Sequence, residues 1–360
     1  MNSKVPGRRK FLKEGVALAG LAIGAIQSTS GQNPGLPMSG ASFTDSKDKE
    51  LEAYGERSPF EKSRRAPVSG PPWSQTPLQD QLGIITPSGL HFMRGGPAPN
   101  IDPEQHRLLI HGLVDRPVIL SVQDLRQLPS ISRIYFIECS GNSRKMSDDS
   151  VQLTHGDTAC SEWTGVSLAL LLREVGVRKG AKWLVSEGAD PRGQLVSIPL
   201  EKAMDDILVA YGQNGEALRR EQGYPLRLII PGWVGTTHTK WLKRIKLVEQ
   251  PYMTRWETGT APNLRMDGKA RWFEFQLGPK SVITFPSGGL QLHRRGFHEI
   301  TGLAWSGAGA IRRVEVSTDG GPKLAGCATP GAGASIRPYS LSPGMELEWR
   351  RSGAPVPLHG

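Results

Sequence analysis

Short apolar runs separated by turn residues, without a regular alternation of strand and helix, most constrain the fold of this chain. Five runs before Gln250 are typical of β-strands: HRLLIHGLV, RIYFIEC, KWLVSEG, YPLRLIIPG and KWLKRIKLVEQ. The segment VSLALLLREVGV has helical spacing and ends at a glycine. Because these elements follow no βαβ order, the sequence predicts an α+β fold rather than a doubly wound sheet. With 360 residues, the chain is long enough for two domains.

After Gln250 the helical signals stop. The segments SVITFPSGGLQL, FHEITGLAWSG and IRRVEVSTDGG alternate like strands and are separated by glycine-containing turns, which predicts a β-sandwich. A sandwich of the immunoglobulin type needs about 100 residues, so the strand-like region of residues 251–321 predicts an incomplete one.

The tail, residues 322–360, has a different amino-acid composition, with six glycines and six prolines in 39 residues. Two interpretations stay open. The tail is a disordered extension, or a shifted reading frame in GC-rich DNA has replaced the true ending with aberrant sequence, and we favour the second. Either interpretation predicts that the tail does not complete the sandwich.

The N-terminus has the build of an export signal. The basic stretch GRRKFLK precedes the apolar run EGVALAGLAIGAI, which is shorter than the roughly 20 residues of a membrane span. The pair Arg8-Arg9 resembles a twin-arginine signal. We therefore expect residues 1–30 to direct export to the periplasm, with an uncleaved anchor as the alternative. Residues 31–80, rich in Ser, Gly, Pro and charge, predict an extended arm or linker.

The net charge of +10 favours acidic partners or small anions. The basic residues are scattered rather than clustered, which argues against nucleic-acid binding. No glycine-rich dinucleotide fingerprint follows a strand, so NAD or FAD binding has little support.

The stretch FIECSGNS places Cys139 where a strand-like run meets a tight turn. Three interpretations stay open: a core residue, a nucleophile or a metal ligand. The sequence has no CxxC, HExxH or paired-His motif, so a metal at Cys139 would need a cofactor to supply its other ligands. An odd count of three cysteines leaves at least one thiol unpaired, and Cys139 is the candidate.

Basic residues beside glycine-containing turns offer a cradle for such a cofactor. They occur in FMRGG, in EGADPRG and in PLRLIIPGWVGTTHTKWLKRI. Arg and Lys side chains hold phosphate, and glycine turns let backbone N–H groups approach it.

The chain resembles the sulfite oxidase family of molybdenum enzymes, and within it the SoxC-type molybdenum subunits of sulfane dehydrogenases. The resemblance runs from about Leu82 to Gly321. It is carried by HRLLIHGLVDRPVILSVQDLRQLPS, FIECSGNS, THGDTACSEWTGVSLALLLREVG, IIPGWVGTTHTKWLKRIKL and ITGLAWSGAGAIRRVEVSTDGG. It implies a molybdopterin-binding domain over residues 81–250 and an immunoglobulin-like dimerisation domain over residues 251–321.

The resemblance also implies roles for individual residues. Cys139 would bind molybdenum, and Arg94 would be the anion-binding arginine that faces metal and substrate. The remaining residues expected to bind the molybdopterin cofactor are Phe92, Met93, Asp190, Arg227, His238, Thr239 and Lys240.

This sequence departs from the family pattern at several positions. Gly95 and Gly96 stand where the family carries a histidine-containing segment, and Gln222 replaces a histidine. Ala261 stands at the position of the active-site tyrosine, and Tyr252 is out of register with it. With these departures, the resemblance supports the predicted fold and cofactor better than it supports full activity.

The function implied by the resemblance is a periplasmic molybdenum oxidoreductase acting on reduced sulfur, such as sulfane sulfur on a carrier protein. No CxxCH haem motif is present, so we expect electrons to pass to a c-type cytochrome subunit of the SoxD type. A homodimer or a heterotetramer is expected. The alternatives are a sulfite dehydrogenase acting on free sulfite and a degenerate relative without catalytic activity.

Overall fold

The computed structural model describes much of the chain after residue 56. The described residues are 57–70, 72–143, 150–191, 193–254, 257–258, 263–264, 267–273, 275–288, 290, 298–318, 321–326 and 335–340. The predicted export signal, most of the N-terminal arm, Ala261 and most of the C-terminal tail lie outside them.

Strands dominate the secondary structure of this part of the chain. They are β1 (Ala66–Pro67), β2 (Ser74–Gln75), β3 (Arg107–Gly112), β4 (Val118–Ser121), β5 (Ser130–Glu138), β6 (Thr158–Ser167), β7 (Trp183–Gly188), β8 (Leu195–Pro199), β9 (Leu208–Gln213), β10 (Glu216–Ala217), β11 (Arg227–Ile229), β12 (Leu242–Val248), β13 (Asn263–Leu264), β14 (Ala270–Arg271), β15 (Lys280–Phe285), β16 (Glu299–Trp305), β17 (Glu315–Val316), β18 (Ala325–Gly326) and β19 (Ser335–Ser340). The α-helices are α1 (Val122–Gln127), α2 (Val151–His155), α3 (Leu168–Val175) and α4 (Leu200–Ala203). Single 3₁₀ turns lie at Leu78–Asp80, Ser88–Leu90, Arg220–Gln222 and Gly235–Thr237.

Two five-stranded sheets form the first domain. One has the order β4-β3-β12-β7-β8, in which the pair β3 and β12 is parallel and the others are antiparallel. The other has the order β10-β9-β6-β5, and β11 also pairs with β9. Every strand predicted before Gln250 is therefore present, within an α+β arrangement.

Helix α3 joins these sheets through one apolar face. Leu168, Leu171, Leu172 and Val175 recur at helical spacing and are buried in the main core with residues from both sheets. The helix ends at Gly176, whose φ of 70° suits glycine. The predicted helix and its glycine stop are thus confirmed.

The second domain contains the antiparallel sheet β15-β16-β19. The strand predicted from IRRVEVSTDGG is shorter than expected, and within the described residues β17 pairs with the two-residue β18. Among the described residues, no helix is both long and apolar enough to cross a membrane.

One segment of the tail does join this sheet. Strand β19 pairs with β16, so Ser335–Ser340 add one strand to this sheet. That the tail as a whole does not complete the sandwich stays a prediction. The register shifts between the partners of Ile336 and Tyr339, where Pro338 lies. Proline has no N–H to donate to a strand ladder and is tolerated at edges and bulges, which explains how this proline-containing stretch pairs.

Candidate active site

Cys139 follows directly on β5 and begins a tight turn. Its N–H donates to the carbonyl of Asp157 (2.9 Å), and its carbonyl accepts from Asn142 N (3.0 Å). The N–H of Gly141 lies 3.5 Å from Sγ. The thiol is unpaired and partly exposed, and burial raises its pKa, so without a metal it holds its proton more tightly than a free cysteine.

The side chain of Asn142 stabilises this turn through hydrogen bonds. Its Nδ2 donates to Glu138 Oε1 (3.1 Å) and to Thr158 Oγ1 (2.8 Å), and its Oδ1 accepts from the N–H of Asp157 (3.2 Å). Asn142 is buried, so its amide group stabilises the turn from inside the protein.

Arg94 is held beside the turn by a buried carboxylate. Its Nε and Nη2 both donate to Asp157 Oδ2, at 2.9 and 2.6 Å. The guanidinium lies 5.1 Å from the ring centroid of Trp73, whose Nε1 donates to Gly95 O (2.7 Å). Arg94 keeps 26% of its side chain exposed whereas Asp157 keeps 1%. The arginine is therefore fixed at one end and open to solvent at the other.

Lys240 and Arg227 form a buried cationic pair. Lys240 Nζ donates to two carbonyls, Arg94 O (2.9 Å) and Glu221 O (3.0 Å). Burial, and next the charge of Arg227, lower the pKa of Lys240 to about 7. Arg227 donates to the carbonyl and side-chain oxygens of Gln222, and burial lowers its pKa to about 9.

His238 and Thr239 play structural roles at their side chains. The N–H of Ile230 donates to Nδ1 of His238 (3.4 Å), so Nε2 carries the ring hydrogen and donates to the carbonyl of Trp233 (3.2 Å). Burial lowers the pKa of His238 to about 3, which keeps the ring neutral. The hydroxyl of Thr239 is bonded to that of Ser186 (2.7 Å).

Phe92 and Met93 are buried. Phe92 stacks on His91 and belongs to a small core cluster, and Met93 exchanges backbone hydrogen bonds with Ser74. These two residues therefore hold the Arg94 segment in place. Asp190 lies close enough to Lys240 to raise its pKa.

The structure thus brings five predicted residues near one another: Arg94, Cys139, Asp190, Arg227 and Lys240. Tyr252 is not among them, because it is exposed and its hydroxyl accepts a hydrogen bond from Lys246 Nζ (2.7 Å). An apolar cavity of about 120 Å³ is lined by Cys160 rather than by Cys139. Burial raises the pKa of Cys160 to about 12, in keeping with a packing role.

Several residues of the site escaped the sequence analysis: Trp73, His91, Glu138, Asn142 and Asp157. Asp157 could have been found from the sequence, because it lies in THGDTACSEWTG, part of a segment that carries the family resemblance. His91 lies one residue before FMRGG, and burial lowers its pKa to about 3. No spacing rule would have joined these residues, because they act through contacts distant in sequence.

The donor set fits a phosphate-bearing cofactor that brings its own metal ligands. Arg227 Nε is buried and has no hydrogen-bond partner within the described part of the chain. Burial lowers the pKa of both Arg227 and Lys240, and a bound anion would favour the charged form of each. Within the described residues no cluster of three or more His, Cys, Asp or Glu side chains could hold a metal.

Two family models match the chain. The one described as "Oxidoreductase molybdopterin binding domain" covers residues 95–256, and the one described as "Mo-co oxidoreductase dimerisation domain" covers residues 272–333. Fold and site therefore define a molybdopterin-binding oxidoreductase domain followed by a dimerisation domain, and the α+β fold and cofactor predicted above are confirmed.

Similar proteins narrow this class. Mitochondrial sulfite oxidase of Rattus norvegicus is 33% identical over 280 residues, and an NADH nitrate reductase of Ulva prolifera is 32% identical over 288. Each alignment covers 69% of this chain but 50% and 33% of those proteins, so the chain spans half or less of their length. The crystal structure of the sulfane dehydrogenase SoxCD from Paracoccus pantotrophus matches with a TM-score of 0.76 and 34% identity, over 84% of this chain and 82% of that one. The chain belongs to the sulfite oxidase family.

Proposed function

We propose that this chain is the molybdenum subunit of an oxidoreductase that oxidises reduced sulfur, with sulfane sulfur on a carrier protein as the substrate. The observation that carries the proposal is the partly exposed Arg94, fixed by Asp157 beside the free thiol of Cys139. The likeness to a sulfane dehydrogenase structure supports the choice of substrate class.

The residues of this site divide the work. Arg227 and Lys240 would hold the phosphate end of molybdopterin, and Cys139 would be the protein's own ligand to molybdenum. When bound, the cofactor supplies a metal that accepts two electrons from sulfur. Because only the thiolate ligates, Cys139 loses its proton when the metal binds.

Arg94 would bind the anionic group of the substrate. Its Nε and Nη2 are occupied by Asp157, which leaves Nη1 without a hydrogen bond to any described residue. A guanidinium can satisfy an internal carboxylate and an external anion at once, because its donors lie in a fixed planar fork.

We place the electron exit on a separate c-type cytochrome subunit of the SoxD type, because none of the three cysteines lies in a CxxCH motif. The Arg8-Arg9 pair supports a periplasmic location. The dimerisation domain supports self-association of the chain, alone or with the cytochrome.

Free sulfite is the second candidate substrate. The identity to mitochondrial sulfite oxidases favours it, and sulfite is also an anion that Arg94 could bind.

The test begins with molybdenum analysis of purified wild-type, Cys139→Ser and Cys160→Ser proteins. We expect near-stoichiometric metal in the wild type and in Cys160→Ser, and a folded Cys139→Ser protein with altered metal absorption and no turnover. Reduction of cytochrome c is then compared with a thiolated carrier protein and with sulfite as the electron donor. Metal-free wild-type protein, or an active Cys139→Ser protein, would refute the proposal. Faster turnover with sulfite would favour the second candidate.

A further inference from the structure

The residue before Cys139 is a buried carboxylate shared between the two domains. Glu138 is 1% exposed. Its Oε1 accepts from Lys280 Nζ (2.5 Å) and from Asn142 Nδ2 (3.1 Å), and its Oε2 accepts from Trp305 Nε1 (2.7 Å). Both oxygens are therefore satisfied, as a buried ionised carboxylate requires.

Two of these three donors come from the region that matches the dimerisation domain. Lys280 is the first residue of β15 and Trp305 is the last residue of β16, and the two are directly paired across these strands. One end of this strand pair thus donates two hydrogen bonds to one side chain of the first domain, that of Glu138. Removing one partner of such a buried pair leaves an uncompensated charge, which is strongly unfavourable.

The third donor, Asn142, links Glu138 to the active site. Asn142 closes the turn onto the carbonyl of Cys139, and its Oδ1 accepts from the backbone of Asp157. Asp157 in turn holds Arg94. A displacement of Glu138 therefore reaches both the thiol and the arginine through hydrogen bonds already described.

We propose that Glu138, Lys280 and Trp305 are positioning residues for the Cys139 turn, so that the second domain helps to build the metal site in addition to its role in dimerisation. The effect on metal rests on the proposed function, since it takes Cys139 as the ligand. The effect on the conformation of the Cys139 turn does not rest on the proposed function, because it concerns only how well ordered the turn is.

The test uses full-length Lys280→Met, Trp305→Phe and Glu138→Gln proteins, with Thr301→Val as the control. Thr301 also lies on β16 and also loses one side-chain hydrogen bond, to Thr284 Oγ1 (3.1 Å), but it does not contact Glu138. In protein made without cofactor, alkylation of Cys139 by iodoacetamide is followed by peptide mass spectrometry. We expect Lys280→Met and Glu138→Gln to speed this reaction about tenfold or more by freeing the turn. Thr301→Val should match the wild type.

A rescue variant separates positioning from general damage. The double variant Glu138→Gln/Lys280→Met removes both charges together, so no buried charge is left unpaired. We expect its Cys139 alkylation rate and its thermal stability to return toward wild type relative to either single variant. In cofactor-loaded protein, the single variants should shift the metal–thiolate absorption while Thr301→Val does not.

Wild-type Cys139 alkylation rates in both Lys280→Met and Glu138→Gln would overturn the inference, as would equal acceleration in Thr301→Val. If the wild type contains no molybdenum, the proposed function fails. The alkylation rates then still decide whether the second domain orders the turn.

Discussion

Two basic side chains near the Cys139 thiol, those of Arg94 and Lys240, are held in different ways. Arg94 is anchored by the buried carboxylate of Asp157, whereas the hydrogen bonds of the Lys240 ammonium to described residues go to backbone carbonyls. The lysine is therefore the side chain whose charge depends on what else occupies the site.

This difference predicts a pH-dependent stability of the cofactor-free protein. The pKa of Lys240 is about 7 in the folded chain, lowered from 10.5 by burial. Between these values the unfolded chain holds a proton that the folded chain has released, so stability rises with pH across this window. The slope approaches about 1.4 kcal/mol per pH unit for one proton.

Urea denaturation from about pH 7.3 to about pH 8.2 measures the slope. The difference between wild type and Lys240→Met isolates the lysine, because unfolded histidines and thiols and the Arg227 guanidinium titrate near the ends of this range. Lys240→Met should flatten the pH dependence, and the exposed Lys179→Met should leave it unchanged. Bound cofactor should also flatten it, because an anion favours the charged lysine. Identical slopes in wild type and Lys240→Met would contradict the assignment.

Arg94→Lys tests the forked contact. A lysine keeps the charge but cannot hold Asp157 and an external anion with separate planar donors. We expect KM for an anionic sulfur substrate to rise about 10-fold to 100-fold, the loss of one charged hydrogen bond, with a smaller change in kcat. Steady-state kinetics at fixed ionic strength measure this. Unchanged KM and kcat would make Arg94 purely structural.

At the scale of elements, the strand that ends at Cys139 packs closely against the segment that leads to Lys240. A Cβ placed on Gly235 would lie 2.8 Å from the carbonyl oxygen of Glu138 and 3.1 Å from Ile137 Cγ2. This glycine therefore sets how near the two halves of the site approach each other.

Gly235→Ala should push these elements apart. A backbone atom cannot move aside as a flexible side chain would, so we expect a destabilisation of about 1–3 kcal/mol and reduced molybdenum content. The control is Gly278→Ala, where a Cβ meets no atom within 4 Å. Thermal denaturation and metal analysis of both variants check the prediction. A Gly235→Ala protein as stable and as metal-rich as Gly278→Ala would show that this approach is not tight.

At the scale of the whole molecule, two family domains follow one another in a chain whose N-terminus resembles an export signal. The twin-arginine route carries folded proteins, which suits a chain that takes on its cofactor before export.

Export should therefore depend on the Arg8-Arg9 pair. Changing both to Lys keeps the charge but removes the guanidinium pair, and we expect the protein to stay in the cytoplasm with its cofactor bound. Fractionation of cells followed by immunoblotting measures this. As a control, Lys4→Arg changes a basic residue outside the pair and should not affect export. Periplasmic protein in the double variant would exclude the twin-arginine route.

The sequence by itself determined β3, β5, β7, β11, β12, β15, β16, helix α3 and the turn after Cys139, because these follow from local apolar periodicity and turn chemistry. Recognisable motifs also led to Arg94, Arg227 and Lys240, which the structure brings together. The same motifs suggested His238 and Thr239, whose side chains are hydrogen-bonded within the fold, and their role in cofactor binding stays a prediction.

Only the tertiary structure decided what supports these residues. Asp157 lies 63 residues from Arg94, and Glu138 lies 142 and 167 residues from Lys280 and Trp305. No local pattern encodes such contacts, since they arise from the packing of separate strands. Strand β19 is a further case: its pairing depends on the free edge of β16, which composition could not reveal. A buried carboxylate acquires its role from the donors that folding brings to it, and those donors are distant in the chain.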